Sequence, residues 1–341
     1  MITYQLHGQE DLRLEEVVTP PVGPTEVKVR VAHNGICGSD LHYYYLPDGI
    51  ITRPRFIGHE FSGIVAEVGA EVKDIAVGDR VCVFPIISCG SCSECRSGYP
   101  VLCEVLDRDV STVGCGAPIG ALSEYCVVPG SVVVPLPDDI SLAQGAMVEP
   151  LAVGATAVQR SGARLGQRIA VLGGGPIGIG VALALNALGI DDVVVVEPSE
   201  QRRALLAKLT TAQVLDPEEV TADARFTAGG GADIVFECAG VPASLYSAYE
   251  LAGKRGHIVL IGLHEKPSQF PPPQVFVKEV TVVGHNGSNI EAFHTVIDWM
   301  QNGLIPTEGW VTHVPWTDVV THGLEPLRRG ELLKVLIDLP A

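Results

Sequence analysis

The sequence is poor in basic residues. Lys and Arg number 23 against 40 Asp and Glu in 341 residues, a formal net charge of −17. Nucleic acids and anionic membrane surfaces are recognised by clustered Lys and Arg, so neither is an expected partner. Long apolar runs are missing too. No stretch of about 18 consecutive apolar residues occurs, so no membrane span is expected. The opening Met-Ile-Thr-Tyr-Gln-Leu-His has no basic flank and no apolar signal core, and the expectation is a cytoplasmic protein. No internal period that would mark a solenoid is visible. The 38 Gly and 24 Pro punctuate the chain instead of repeating. Hydrophobic content of 47% is enough for a sizeable core, and the length fits two domains. In such a protein nine cysteines point to free thiols or metal ligands more than to disulfides.

Three separated segments offer metal ligands. Gly35-Ile-Cys-Gly-Ser-Asp-Leu-His42 carries Cys37, Gly58-His-Glu60 carries His59 and Glu60, and Glu149-Pro-Leu-Ala152 carries a second carboxylate. One thiol, one imidazole and carboxylates are a ligand set for Zn²⁺. A Cys37 thiolate and one carboxylate against Zn²⁺ leave a neutral shell, one that can hold an alcohol and lower its pKa. The plain alternative for Cys37 alone is a buried small hydrophobe. Ser39 and His42 follow in what reads as a tight loop, where hydroxyl and imidazole could pass a proton outward. A lone Ser or His is otherwise structural. Tyr43 to Arg55, with Pro47, Gly49 and Pro54, reads as a continuing loop whose aromatics either line a pocket or pack.

Cys89-x₂-Cys92-x₂-Cys95-x₇-Cys103 is the strongest local signal. Four thiolates form a closed tetrahedral zinc site with no open position, hence a structural one. The rivals are a redox pair and an iron–sulfur cluster, whose bacterial spacing differs after the third cysteine. Cys82, Cys115, Cys126 and Cys238 have no such spacing and read as buried thiols. Strand patterns such as Glu26–Ala32, Glu60–Val68, Ser123–Val128 and Ser131–Val134 make the first 150 residues an antiparallel, β-rich, partly barrel-like unit.

After Glu149 the pattern changes. Arg168–Leu172 is a short apolar run that leads into Gly173-Gly-Gly-Pro-Ile-Gly178 and a helical stretch. Gly173, Gly175 and Gly178 fit the dinucleotide fingerprint: a tight turn, a close backbone approach to pyrophosphate, and close helix–strand contact. A second apolar strand, Val193–Val196, ends at Glu197, where the ribose-binding acid belongs. Its carboxylate would accept ribose hydroxyls and repel a 2′-phosphate, although Arg202 and Arg203 nearby could pair with one. Later strands read at Ala232–Phe236, His257–Ile261 and Val280–Val283, and helices at Ala243–Gly253 and Ile290–Met300. Alternating β and α with apolar strands predicts a doubly wound parallel sheet. The tail, Leu332–Ile337, reads as a strand that returns to the first unit.

GICGSDLH, GHE, the four-cysteine lobe, EPLAV and GGGPIG, in that order, resemble the zinc-dependent medium-chain dehydrogenase family over essentially the whole chain. The resemblance implies an α/β protein with a GroES-like catalytic domain (1–152 and 290–341) and a Rossmann NAD-binding domain (153–289). It implies two Zn²⁺ per chain. Cys37, His59 and an acidic ligand, either Glu60 or Glu149, would hold the catalytic ion, and Cys89, Cys92, Cys95 and Cys103 the structural one. It places Ser39 and His42 in the proton relay, and Ile177, Glu197, Arg202, the backbone of Ile261, Gly262 and Leu263, and His285 and Asn286 against NAD. The glutamate at 149 and stretches such as GHEFSGIVAEVG and FECAGVP look most like the butanediol dehydrogenase group, with sorbitol, L-idonate and threonine dehydrogenases next. The implied activity is NAD-linked oxidation of a secondary alcohol, a vicinal diol or sugar alcohol, by a homo-oligomer, dimer or tetramer. The alternatives are an L-threonine or general secondary alcohol dehydrogenase, a zinc-free quinone reductase of the same superfamily, and a non-enzymatic NAD-binding redox sensor.

Overall fold

The fold is described from a computed structural model that covers residues 1–341 apart from 48–50, 52, 107–111, 115–118, 229, 270 and 341. Gly49 and Cys115 therefore lie outside the described residues. The chain divides into two compact units. The first comprises Met1–Glu149, Asn289–Gln301 and Trp310–Ala341, and the second Pro150–Ser288 with Asn302–Gly309.

In the first unit, Glu26–Gly35 is the central strand. Its even-spaced valines, Val27, Val29 and Val31, are fully buried, as alternation requires of a strand with one core face. It pairs antiparallel with Glu60–Val68, with Tyr125–Pro129 and with the C-terminal strand Lys334–Asp338. Lys334–Asp338 then pairs in parallel with Val311–Pro315, the edge of this sheet. The tail thus does return to the first unit, as its apolar pattern predicts. A separate three-stranded sheet contains Ile2–Gly8 at its centre.

The second unit holds a six-stranded, all-parallel sheet. Its spatial order is Gln213–Leu215, Val193–Val196, Ile169–Leu172, Ala232–Glu237, Ala252–Leu260, Thr281–Gly284. This is the doubly wound arrangement, with its switch point beside Ile169–Leu172. The strands there are four consecutive buried apolar residues each, because helices cover both faces of a parallel sheet. The helix Pro176–Ala187 is apolar on most of its circumference, and Gly178 to Leu185 are all buried.

Two expectations need correction. Ser39 and His42 lie on a short helix, Gly38–Tyr44, not in a loop, and Tyr43 and Tyr44 belong to it. Its N-cap position has no Ser, Thr, Asp or Asn to advertise it. Cys37 is the N-cap, and Asp40 closes the turn by accepting the Cys37 N–H at 2.8 Å. The helix expected over Ala243–Gly253 is Pro242–Leu251, and Ala252 and Gly253 already belong to the next strand.

Candidate active site

The central strand ends at Gly35 and delivers the chain to Cys37, while its partner begins at Glu60, directly opposite Gly35. That register sets the site. Sheet pairing brings the Cys37 segment against His59 and Glu60, although 22 residues separate Cys37 from His59 in sequence. One donor atom each of Cys37, His59 and Glu60 fall within 4.8 Å of one another. Gly35 is required here, since a Cβ at that position would overlap the Glu60 carboxylate.

His59 and Glu60 are buried, with 5% and 1% exposure. A charged carboxylate is not left bare at that depth, and Glu60 is ion-paired with Lys334, itself 1% exposed. Lys334 also donates to the Ile36 carbonyl at 2.9 Å, so it ties the C-terminal strand to the Cys37 segment. Asp40, buried, accepts backbone N–H groups from Cys37 at 2.8 Å and Gly58 at 3.2 Å. Its Oδ1 stands 3.8 Å from His59 Nδ1. At that distance Asp40 is a neighbouring charge to the His59 ring and not its hydrogen-bond acceptor. Burial, opposed in part by His59, holds the Asp40 carboxyl above its ordinary value. Sequence reading missed both Lys334 and Asp40. Asp40 had a signal in the Cys37-x-x-Asp40 capping spacing. Lys334 had none, because its partner lies 274 residues away.

Glu149 is buried but does not join the Cys37, His59 and Glu60 cluster. Burial pushes its carboxyl up to about 7, His59 and Lys334 acting against that rise and Glu60 and Asp40 adding to it. It therefore stands within electrostatic reach of the cluster as a second carboxylate. The donor set fits a zinc ion: a borderline imidazole, a soft thiol and a carboxylate, in a buried setting where positive charge is wanted. Ser39 and His42 are half-buried and three residues apart on the Gly38–Tyr44 helix, hence neighbours on one face. Tyr44 is packing: it is buried, its ring meets Tyr45 edge-on at 4.9 Å, and its hydroxyl donates to the Glu10 carbonyl at 3.3 Å.

Cys89, Cys92, Cys95 and Cys103 bring four thiols within 4.8 Å of one another. Backbone N–H groups point at the sulfurs: Ser91 and Cys92 to Cys89 at 3.4 and 3.3 Å, and Cys95 to Cys92 at 3.5 Å. The Ser91 N–H and hydroxyl and the Cys92 N–H stabilise thiolate at Cys89 and bring it down to about 6. Gly90, at φ +67°, makes the turn between the first two ligands. The lobe is thus shaped for a closed four-thiolate zinc. Cys82 and Cys126 are buried and protonated thiols, Cys126 pushed up to about 12 by desolvation.

In the second unit Gly173 has φ +99°, which favours glycine at that turn. A Cβ on Gly178 would sit 1.8 Å from the Gly173 carbonyl oxygen, so the third glycine is dictated by helix–strand contact. Gly175, N-cap of Pro176–Ala187, faces open space with no neighbour within 4 Å. A helix N-terminus with a clear approach fits a pyrophosphate. Ile177 lies in the first turn of that helix. Glu197, 3% exposed, accepts the Gly174 N–H at 2.8 Å and the Ser199 N–H at 2.9 Å, which fixes its carboxylate beside the glycine turn. Arg203 is committed elsewhere, to the Glu197 and Pro198 carbonyls at 2.9 and 2.7 Å and to Asp216 at 3.1 Å. Arg202 is half-buried on the same helix.

Ile261 and Gly262 both donate to the Glu237 carbonyl at 2.9 Å, and Leu263 is 65% exposed. Glu237, which sequence reading did not single out, organises this edge. Its fully buried carboxylate accepts from the Ala239 and Gly240 N–H groups and the Ser244 hydroxyl, and it pairs with His264 Nε2 at 2.9 Å. His285 follows the last strand. Its Nε2 is buried with no hydrogen-bond partner, and desolvation with Arg160 lowers its pKa to about 4. A buried polar atom without a partner at the C-terminal end of a strand of this sheet is a group that a bound ligand could satisfy. Asn286 beside it is exposed.

Comparison with known proteins agrees with this geometry. The alcohol dehydrogenase GroES-like domain model matches residues 23–138, and the zinc-binding dehydrogenase model matches residues 176–302. Among curated relatives, (R,R)-butanediol dehydrogenase of Bacillus subtilis (strain 168) is 35% identical, covering 97% of each chain. L-idonate 5-dehydrogenase of Vitis vinifera is 32% identical over 98% of this chain and 93% of its own. The crystal structure of 2R,3R-butanediol dehydrogenase from Bacillus subtilis superposes with a TM-score of 0.89 at 34% identity, covering 99% of each chain. With a GroES-like unit, a Rossmann unit and the zinc donor set on one chain, the protein belongs to the zinc-dependent, NAD-linked medium-chain alcohol and polyol dehydrogenases.

Proposed function

We propose that the chain oxidises a secondary alcohol bearing a vicinal hydroxyl, a 2,3-diol or a sugar alcohol, to the ketone. The observation that carries this reading is the donor set: one thiol, Cys37, and one imidazole, His59, clustered with Glu60 and backed by the buried Glu149. A shell with one sulfur and carboxylate oxygens is harder than one with two thiolates, and it tolerates further oxygen ligands. When bound, zinc supplies Lewis-acid charge stabilisation and the nicotinamide supplies the hydride acceptor. The chain supplies the rest. Cys37, His59 and one of the two glutamates hold the catalytic ion. Asp40 holds the backbone of Cys37 and Gly58 together beside His59, and Lys334 keeps Glu60 placed and charge-balanced. Glu149 accepts a hydrogen bond from the second hydroxyl. Ser39 and His42, one helical turn apart, carry the alcohol proton outward. Glu197 and the glycines at 173, 175 and 178 hold the cofactor, with NAD preferred over NADP. Cys89, Cys92, Cys95 and Cys103 hold a second, structural zinc.

The same reading includes a homo-oligomer in the cytoplasm. The edge strand Thr281–Gly284 and the adjoining helix expose Val283, Phe276 and Val277 at 46%, 82% and 74%, an apolar patch suited to self-association. The eight described cysteines are free thiols, which suits a reducing compartment. Steady-state kinetics with purified enzyme test the substrate class. The expected result is kcat/KM higher for 2,3-butanediol or a sugar alcohol than for 2-butanol by about tenfold or more, the worth of one hydrogen bond. Equal values for 2-butanol and every diol and sugar alcohol tried would leave a general secondary alcohol dehydrogenase.

A further inference from the structure

A third group of metal-ligating side chains stands outside both proposed zinc sets. His33, His313 and Asp338 bring one donor atom each within 4.8 Å of one another. Three adjacent strands place them. Asp338 is directly opposite His33 in the antiparallel pair. Asp338 also faces Pro315 in the parallel pair, two residues beyond His313. With a side-chain period of two, all three project from the same face of the sheet. The alternate residues, Asn34, Val314 and Ile337, are 1%, 3% and 0% exposed and point into the core. The outward row is open to solvent: the side chains of His33, His313 and Asp338 are 24%, 48% and 42% accessible.

The geometry within the row is close. Nδ1 of His33 and Nδ1 of His313 both approach the same oxygen, Asp338 Oδ1, at 2.9 and 2.8 Å. The rings meet edge to face with centroids 5.8 Å apart. Donors around a tetrahedral zinc with bonds of about 2.0–2.1 Å stand roughly 3.3 Å from one another, so these contacts are near the spacing that coordination requires. Two imidazoles and a carboxylate suit a borderline divalent ion, and a half-open site leaves positions for water. An ordinary surface ion pair has no reason to gather two imidazoles on one carboxylate oxygen from strands 305 and 25 residues away in sequence.

We propose that His33, His313 and Asp338 form a peripheral site for one divalent transition-metal ion such as Zn²⁺, separate from the catalytic and four-cysteine sets. The ion would clamp the edge strand Val311–Pro315 and the C-terminal strand Lys334–Asp338 to Glu26–Gly35, the strand that leads to Cys37. Its work is therefore structural reinforcement of the sheet, and it takes no part in turnover.

Equilibrium dialysis of the purified holoenzyme against micromolar ZnCl₂ tests this, with metal content and melting temperature as readouts. Wild type should take up one equivalent beyond its resident zinc, and its melting temperature should rise with added zinc. His313→Ala and Asp338→Asn should each lose that equivalent and that rise, while kcat/KM for the alcohol stays at the wild-type value. His313 is half exposed, so its variant is expected to fold, and circular dichroism before dialysis confirms which preparations count. Uptake of the same extra equivalent by both variants, or no extra uptake by wild type, would overturn the site. Loss of turnover together with the extra equivalent would assign the metal to the Cys37 set, and would overturn it equally.

Discussion

At the scale of single residues, the proposed chemistry turns on two buried acids, Glu197 and Glu60, and their partners. Glu197 is held by two backbone N–H groups at a position where it also sets a negative charge beside the glycine turn. Arg203 spends its guanidinium on carbonyls and Asp216, which leaves Arg202 to offset that charge. Glu197→Ala should therefore narrow the preference for NAD. Comparing kcat/KM for the two cofactors in wild type and variant checks this, and a wild type that favours NADP would reverse the reading. Lys334 is the second case. Removing one member of a buried ion pair leaves the other uncompensated, a loss of about 3–5 kcal/mol. Lys334→Met should lower the urea midpoint accordingly, and a midpoint within error of wild type would mean that Glu60 is neutralised by something other than Lys334.

The element scale explains what was legible. Ile169–Leu172, the glycine turn and Pro176–Ala187 were readable because strand, turn and helix each carry their own local pattern. The four-cysteine lobe was readable for the same reason, since all its donors lie within 15 residues. The Gly38–Tyr44 helix was not, because its cap is a cysteine and its capping partner an aspartate in a segment rich in aromatics. Lys334 and the His33, His313 and Asp338 row were invisible for a different reason. Their meaning depends on strand register across the C-terminal return, which no local window contains. His285 belongs to this scale as well, placed at the end of Thr281–Gly284 by its N–H bond to Leu260 at 2.8 Å. Its folded pKa of about 4 lies below the unfolded value, so between those pH values the unfolded chain binds the extra proton. Stability tied to neutral His285 is complete above about pH 6.5 and is lost as pH falls toward 4, by about 2 kcal/mol at pH 5. Urea titrations at pH 7 and pH 5 should show a smaller acid loss in His285→Asn than in wild type. An unchanged loss would mean that His285 is not buried as neutral imidazole.

For the molecule as a whole, two units each carry half of the required apparatus: the first the zinc donors, the second the nucleotide turn. The order of motifs along the chain made both units recognisable, and the relatives place the chain in the zinc-dependent medium-chain polyol dehydrogenase family. Glu60 and Glu149 stayed undivided in the sequence. The structure gives the two acids different settings: Glu60 sits with Cys37 and His59 and is paired with Lys334, whereas Glu149 stands apart and is pushed toward the neutral form. We propose that Cys37, His59 and one of the two glutamates, Glu60 or Glu149, hold a catalytic zinc distinct from the zinc of the four-cysteine lobe. Elemental analysis of wild type, His59→Ala and Cys92→Ser after dialysis into metal-free buffer addresses it most directly. Wild type should hold two zinc ions per chain and His59→Ala one, the variant keeping its circular dichroism spectrum and losing turnover, with Cys92→Ser losing the other ion and stability. A His59→Ala protein that still holds two zinc ions, or an active wild type that holds fewer than two, would contradict it.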